Sequence, residues 1–179
     1  MSTTTLWCRR GSPLGTMRLV AHDGALVGVY FDGQKYDARA GDDWREAPDD
    51  PLLREAGRQL DEYFAGRRRR FELRVAPLGT AFQREVWRAI AAVPCGSTIT
   101  YAELARRVGR PTSVRAAGAA TGRNPLSIVV PCHRIMGAGG ALTGYAGGLD
   151  RKKALLALES SGGARPRPAA HARPARDLA

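Results

Sequence analysis

No part of this 179-residue chain strings together the apolar run that a membrane-spanning helix needs, about 18 residues. The opening stretch, MSTTTLWCRRGSP, has no apolar core of the kind a secretory leader carries. Cysteine is scarce. Cys8, Cys95 and Cys132 are too few and too scattered for a disulfide framework or a four-ligand structural zinc site. These absences predict a reduced, cytoplasmic setting with no membrane partner and no bound metal. Lysine is nearly missing as well: 25 of the 28 basic residues are arginine, as a GC-rich genome would produce. Acidic residues are short in one region only. Residues 1–76 hold 13 basic and 12 acidic side chains, residues 77–159 hold 11 and 4, and residues 160–179 hold 4 and 1, for a total charge of +11. Codon bias accounts for arginine over lysine but not for the missing acids. The segment 77–159 is therefore the one suited to a polyanion such as nucleic acid.

Along the chain, residues 6–32 read as strands. Met17–Ala21 and Leu26–Phe31 flank His22-Asp23-Gly24, and Asp-Gly between two β-rich runs signals a hairpin. Residues 33–50 are polar and read as a loop. From Pro51 to Phe64, Leu52, Leu53, Ala56, Leu60 and Phe64 recur at helical spacing, with Pro51 suited to the first turn and Gly66 to the end. Phe71, Leu73 and Val75 alternate like a strand. A boundary falls near Pro77, so 1–76 is expected to form an α/β domain. Beyond it the elements are mainly helical. Thr80 to Gln83 and Thr100 to Glu103 are capping-box patterns opening helices, and Ser113 is expected to cap a third, Val114–Thr121. Ile128–Val130 reads as a short strand and Asp150 as the cap of a last helix, 151–159. Residues 160–179 contain almost nothing to bury and are expected to be a disordered basic tail.

Two constellations carry chemistry. The helices 101–108 and 114–121, joined by a tight turn, have helix-turn-helix geometry. The second runs Arg115-Ala-Ala-Gly-Ala-Ala and has almost no long polar side chains to read base edges. Such a helix either packs tightly in a core or presses its backbone into a narrow DNA groove, with Arg115 as its one long probe. The other constellation is Pro131-Cys132-His133-Arg134. Buried cysteine is usually a small hydrophobe. Neighbouring His and Arg side chains can also prepare a thiolate nucleophile. A cysteine peptidase is one outlet for that chemistry, although it leaves the basic helix-turn-helix unexplained.

Asn124-Pro-Leu-Ser-Ile-Val-Val-Pro-Cys-His-Arg134, with Tyr101-Ala-Glu-Leu-Ala upstream and Leu142-Thr-Gly-Tyr-Ala-Gly-Gly148 downstream, closely resembles the O6-alkylguanine-DNA alkyltransferases, also called methylated-DNA–protein-cysteine methyltransferases. The resemblance spans about residues 6–159 and is most specific from 80 onward. It implies a ribonuclease H-like α/β N-terminal domain and a helical, winged-helix-like C-terminal domain of residues 77–159. It also implies direct-reversal repair, in which one alkyl group passes from O6-alkylguanine, or O4-alkylthymine, in double-stranded DNA to the protein in a single turnover, with no cofactor. The recognition helix would enter the minor groove and the damaged base would be flipped out, since a stacked O6-alkyl group is out of reach of a protein thiolate.

Matching positions carry implied roles. Cys132 would accept the alkyl group, and His133, held by Glu159, would take the thiol proton through a water. Tyr101 would push the 3′ phosphate and protonate the departing guanine. Arg115 would fill the hole left by the flipped base, with Ser113, Ala116, Ala117, Gly118 and Arg123 against the DNA. Asn124, Val130, Tyr145 and Ala146 would surround the base. Departures are few. Cys8 and His22 are the only soft ligands before residue 77, too few for the zinc that some relatives carry. Ala146 stands where some relatives have Ser, and Ser127 where some have Pro. A monomer in solution is expected, with cooperative binding along DNA left open. The competing reading is a helix-turn-helix protein that recognises lesions without chemistry.

Overall fold

This computed structural model describes residues 4–38 and 40–161; the expected tail, apart from Ser160 and Ser161, lies outside them. Strands β1 (Thr5–Arg10), β2 (Met17–His22), β3 (Ala25–Phe31) and β4 (Trp44–Glu46) form one sheet in the order β3-β2-β1-β4. β1, β2 and β3 pair antiparallel, and β4 joins parallel to β1. The β2–β3 turn is built on Asp23 (φ 49°) and Gly24 (φ 67°). Two consecutive left-handed residues match the twist of the strands they join, which is why Asp-Gly suits this position. The segment 33–50, expected to be a loop, contains β4. Its pairing to β1 is long-range and has no local signature.

Helix α1 spans Pro51–Phe64, as its spacing predicts. Asp50 caps it by accepting from the Leu53 N–H, and Pro51 sits where a missing N–H costs nothing. Leu53, Ala56, Leu60 and Tyr63 form its buried stripe. The following segment 71–75 is not a strand. It touches the sheet at one bridge, Val75 to Leu26, while Phe71 and Leu73 pack on the core as single side chains.

The second half is α2 (Ala81–Ala91), β5 (Ile99–Thr100), α3 (Tyr101–Arg107), α4 (Val114–Gly122), β6 (Ile135–Met136) and α5 (Leu149–Ser161). Thr80 and Gln83 make the full reciprocal capping box on α2. Thr100 caps α3 through the Glu103 N–H, but the Glu103 carboxylate turns to Arg106 and Arg107 instead of completing a box. Ser113 precedes α4 without making a side-chain cap. α5 begins two residues earlier and ends two later than expected, so Asp150 lies in its first turn.

The two halves share one continuous hydrophobic core, from Leu19 and Phe31 through Leu53 and Leu60 to Val86, Ile90 and Leu126. Residues 125–127 clip to the outer edge of β3, where the Val29 N–H donates to Pro125 O and the Ser127 N–H donates to Val29 O. This covers a sheet edge that would otherwise be unpaired. The run 128–130 is not a strand. Ile128 has φ 71°, a left-handed conformation that a β-branched side chain rarely takes, and it turns the chain back toward the core. That strained turn delivers Pro131 and Cys132 to their positions.

Candidate active site

The turn is braced from within. Asn124 Oδ1 accepts from the Leu126 N–H at 2.9 Å, and Asn124 Nδ2 donates to Val130 O at 2.8 Å. The Cys132 N–H donates to the same Val130 oxygen, so the cysteine opens a short 3-10 turn, Cys132–Arg134. Cys132 is 5% exposed and sits at the floor of a cleft of about 440 Å³. Gly118, Ala119 and Gly122 of α4, with Arg123 just after it, line one wall, and Tyr101 and the loop Gly144–Ala146 line another. Asn124 and Val130, expected to wall the base pocket, are buried behind the cysteine and set its backbone. The rim holds two residues that sequence reasoning missed, Lys35 and Tyr36 from the first half of the chain. The Lys35 N–H donates to Ala146 O, and the Arg123 guanidinium lies 4.0 Å from the Tyr36 ring centroid.

Below the cleft is a buried polar network. Glu159 Oε1 accepts from His133 Nε2 at 2.7 Å, from Arg134 Nη2 at 2.8 Å and from the Tyr63 hydroxyl at 2.7 Å. Glu159 Oε2 accepts from Arg134 Nε at 2.9 Å and from the Gly96 N–H at 3.2 Å. Arg134 is the forked partner, and its remaining Nη1 donates to Val93 O. Burial pushes the Glu159 carboxyl up, but the hydrogen bonds and charges of His133 and Arg134 outweigh it and hold the group well below the carboxylate range. His133 is fully buried, and burial lowers its pKa against the pull of Glu159. The ring is therefore neutral at pH 7. With Nε2–H committed to Glu159, Nδ1 carries the lone pair, and it is buried with no partner among the described residues. That gives the ring an unpartnered basic atom on the residue next in sequence to Cys132, whose own thiol is pushed up by burial. The Asn124 side chain and the Lys152 charge work against that rise.

Lys152 was not anticipated either. Its side chain is buried, and Nζ donates to Ile135 O at 2.6 Å, Thr143 O at 2.9 Å and Gly144 O at 3.1 Å. It ties the cleft loop to β6 with no carboxylate partner among the described residues. The available signal was periodicity: Lys152, Leu155 and Glu159 share one face of α5, so two charged residues fall on an apolar stripe.

On the outer surface, Arg115 and Ala116 are exposed, Ser113 and Gly118 are partly exposed, and Arg123 is exposed. Arg115 makes no ion pair among the described residues. Ala117, expected at the DNA surface, is fully buried. It points inward because 117, 120 and 121 form the face of α4 that packs on α2 and α3.

The network makes acid stability a direct test of its charge states. The folded chain holds both His133 and Glu159 deprotonated at pH values where the unfolded chain would protonate them. Each group therefore contributes stability that is complete above its ordinary value, 6.5 for His133 and 4.5 for Glu159, and lost as pH falls through the lower folded value. The urea midpoint is expected to decline from about pH 6.5 downward and more steeply below about 4.5. A midpoint that rose between pH 7 and 5 would mean that the buried ring is charged.

Comparisons with known proteins span both halves. The family described as 6-O-methylguanine DNA methyltransferase, DNA binding domain, matches residues 81–161. The companion ribonuclease-like domain of the same family matches residues 10–77. A methylated-DNA–protein-cysteine methyltransferase from Methanosarcina acetivorans is 47% identical over 150 residues, 84% of this chain and 95% of its own. One from Mycolicibacterium paratuberculosis is 46% identical over 149 residues, covering 83% and 88%. Among solved structures, Mycobacterium tuberculosis OGT in complex with DNA superposes with a TM-score of 0.81 at 39% identity, over 90% of this chain and 95% of that one. The peptidase and non-catalytic readings find no support among these relatives. Similarity at this level takes in the sheet, the helix-turn-helix and the cysteine turn alike, and the chain belongs to the methylated-DNA–protein-cysteine methyltransferase family.

Proposed function

We propose that Cys132 is the residue that takes the alkyl group, and that His133 and Glu159 prepare it. The observation that carries this reading is the neutral, buried imidazole, anchored to Glu159 through Nε2 and basic at Nδ1. Burial keeps the resting thiol protonated, so an unassisted cysteine would be a poor nucleophile. His133 takes the thiol proton, through a water, and Glu159 stabilises the imidazolium that results. The sulfur then attacks the alkyl carbon in line. The S–C bond forms as the C–O6 bond breaks, and guanine leaves with the bonding electrons. Tyr101, whose hydroxyl burial and the nearby Cys132 keep protonated, supplies the proton that guanine N3 takes up on leaving. The thioether is stable, so each chain reacts once.

The substrate reaches this floor as a base flipped out of double-stranded DNA, with α4 against the minor groove. Arg115 and Ala116 face outward at the start of α4, while Gly118 and Arg123 lead from the DNA side to the cleft. A Cβ added at Gly118 would stand 3.7 Å from the Tyr101 ring, in ordinary van der Waals contact, so the α4 backbone and Tyr101 form adjoining walls of the cleft. Tyr145 and Ala146 wall the base pocket. The Tyr145 hydroxyl is buried without a partner among the described residues and suits a polar edge of the incoming base.

After incubation with duplex DNA containing O6-methylguanine, peptide mass spectrometry is expected to place one methyl group, about 14 Da, on the Cys132 peptide, with no more than one per chain. Methyl on Cys8 or Cys95 in its place would overturn the assignment. Arg115→Ala is expected to slow duplex repair by about tenfold to about two-hundredfold, the result of losing about 1.4 to 3 kcal/mol of compensation for base extrusion. The slow reaction with free O6-methylguanine, which needs no flipping, should barely change. Equal losses on duplex and free base would make Arg115 a support of the pocket and not a filler of the vacated stack.

A further inference from the structure

Glu159 Oε1 is oversubscribed. A carboxylate oxygen offers about two good lone-pair directions, yet this one receives His133, Arg134 and Tyr63. The third donor comes from far away in sequence. Tyr63 lies in the last turn of α1, in the ribonuclease-like half, 96 residues from Glu159. Its ring is locked in place, 2% exposed, edge-on to Phe64 at 5.5 Å and tilted on Phe71 at 5.7 Å. Burial and the neighbouring carboxylate both disfavour its phenolate, so the hydroxyl is a permanent donor.

We propose that Tyr63 is a positioning residue for the reaction: it fixes Glu159 Oε1 and, by sharing that oxygen, limits how strongly the carboxylate draws on the His133 ring. An oxygen that accepts three hydrogen bonds is a weaker partner for each of them. The phenol thus sets the basicity of His133 from the other half of the chain. The site is complete only when α1 is docked. Its effect on rate rests on the relay reading above, whereas its effect on the imidazole does not.

The groups facing Glu159 are His133 and Arg134 from the cysteine turn, Gly96 N–H from the loop before β5, and Tyr63 from α1. The half-buried Cys95 and the Arg69 guanidinium are nearby. Only Tyr63 can lose its hydrogen bond with ring packing kept. Tyr63→Phe removes the shared donor. In the full-length chain, the His133 Nε2–H proton resonance is expected to move downfield as its bond to Oε1 strengthens. The acid limb of the single-turnover rate on O6-methylguanine duplex should move up by about half to one pH unit, less than the roughly one to two units of a whole hydrogen bond to a charged acceptor, because Tyr63 acts on the ring only through the shared oxygen.

Replacing Tyr63 with 2,3-difluorotyrosine keeps the shape and makes the hydroxyl a stronger donor, so both readouts should move the opposite way. This second variant keeps the test decisive if Tyr63→Phe folds poorly. Opposite shifts of the Nε2–H resonance support the inference. If the resonance moves and the acid limb does not, Tyr63 still tunes the ring but His133 is not the base. Variants that lower only the melting temperature and leave the resonance in place would reduce Tyr63 to a latch between the two halves and overturn the inference.

Discussion

Cys132→Ser is expected to remove alkyl transfer completely and to leave DNA affinity within about twofold of the parent. The two outcomes separate because they depend on different parts of the molecule. A serine hydroxyl is far less acidic than a thiol and is a weak nucleophile without strong activation. On the proposed reading, DNA affinity comes from counterion release by the basic second half and from contacts of α4, and the substitution alters neither. Cys132 is 5% exposed, so the change is one atom in a packed site and should leave the fold intact. The check is a filter or anisotropy titration on duplex DNA beside a gel assay of methyl transfer. Residual transfer at even a few per cent of the parent extent would point to a second acceptor among the two other cysteines, Cys8 and Cys95.

Glu159→Gln is expected to have the next largest effect, on stability and rate together. The amide has one acceptor oxygen and a donor nitrogen, yet the position faces the donors His133 Nε2, Arg134 Nε and Nη2, Tyr63 Oη and Gly96 N. Arg134 would keep its charge in a site where its side chain is 6% exposed, with no carboxylate opposite. Removing one partner from a buried pair costs about 3 to 5 kcal/mol, chiefly because the other is left uncompensated. The rate of transfer should fall by about 10² to 10⁴, the contribution typical of an oriented general base. Urea unfolding and single-turnover kinetics at a temperature where the variant remains folded read the two effects separately. Stability lost with transfer at the parental rate would mean that Glu159 serves Arg134 alone and that His133 needs no carboxylate.

The reach of these two substitutions also indicates where sequence reasoning stopped. Local signals worked where one turn of backbone satisfies itself. Asp50-Pro51 opens α1, Thr80 and Gln83 cap α2 reciprocally, and Asp23-Gly24 turns the hairpin. Elements held by distant partners carry no such local signal. β4 exists because β1 has a free edge, and the run 128–130 is a strained turn because β3 takes up residues 125–127. Alternating apolar residues at 71–75 suggest a strand, but only Val75 meets one.

The Cys132-His133 pair as the candidate site, the small-residue helix, the acid-poor second half and the resemblance to the family were all legible in the amino-acid sequence, because each is a property of residue type at short spacing. The tertiary structure alone decided that Ala117 faces inward and that Lys152 is buried on three carbonyls. It also brought Lys35 and Tyr36 to the rim of the cleft and Tyr63 to Glu159 across 96 residues. The physical reason is burial. Whether a polar side chain is a solvated surface group or a member of a charged network depends on which faces pack together, and that is a property of the assembled core and not of any stretch of chain.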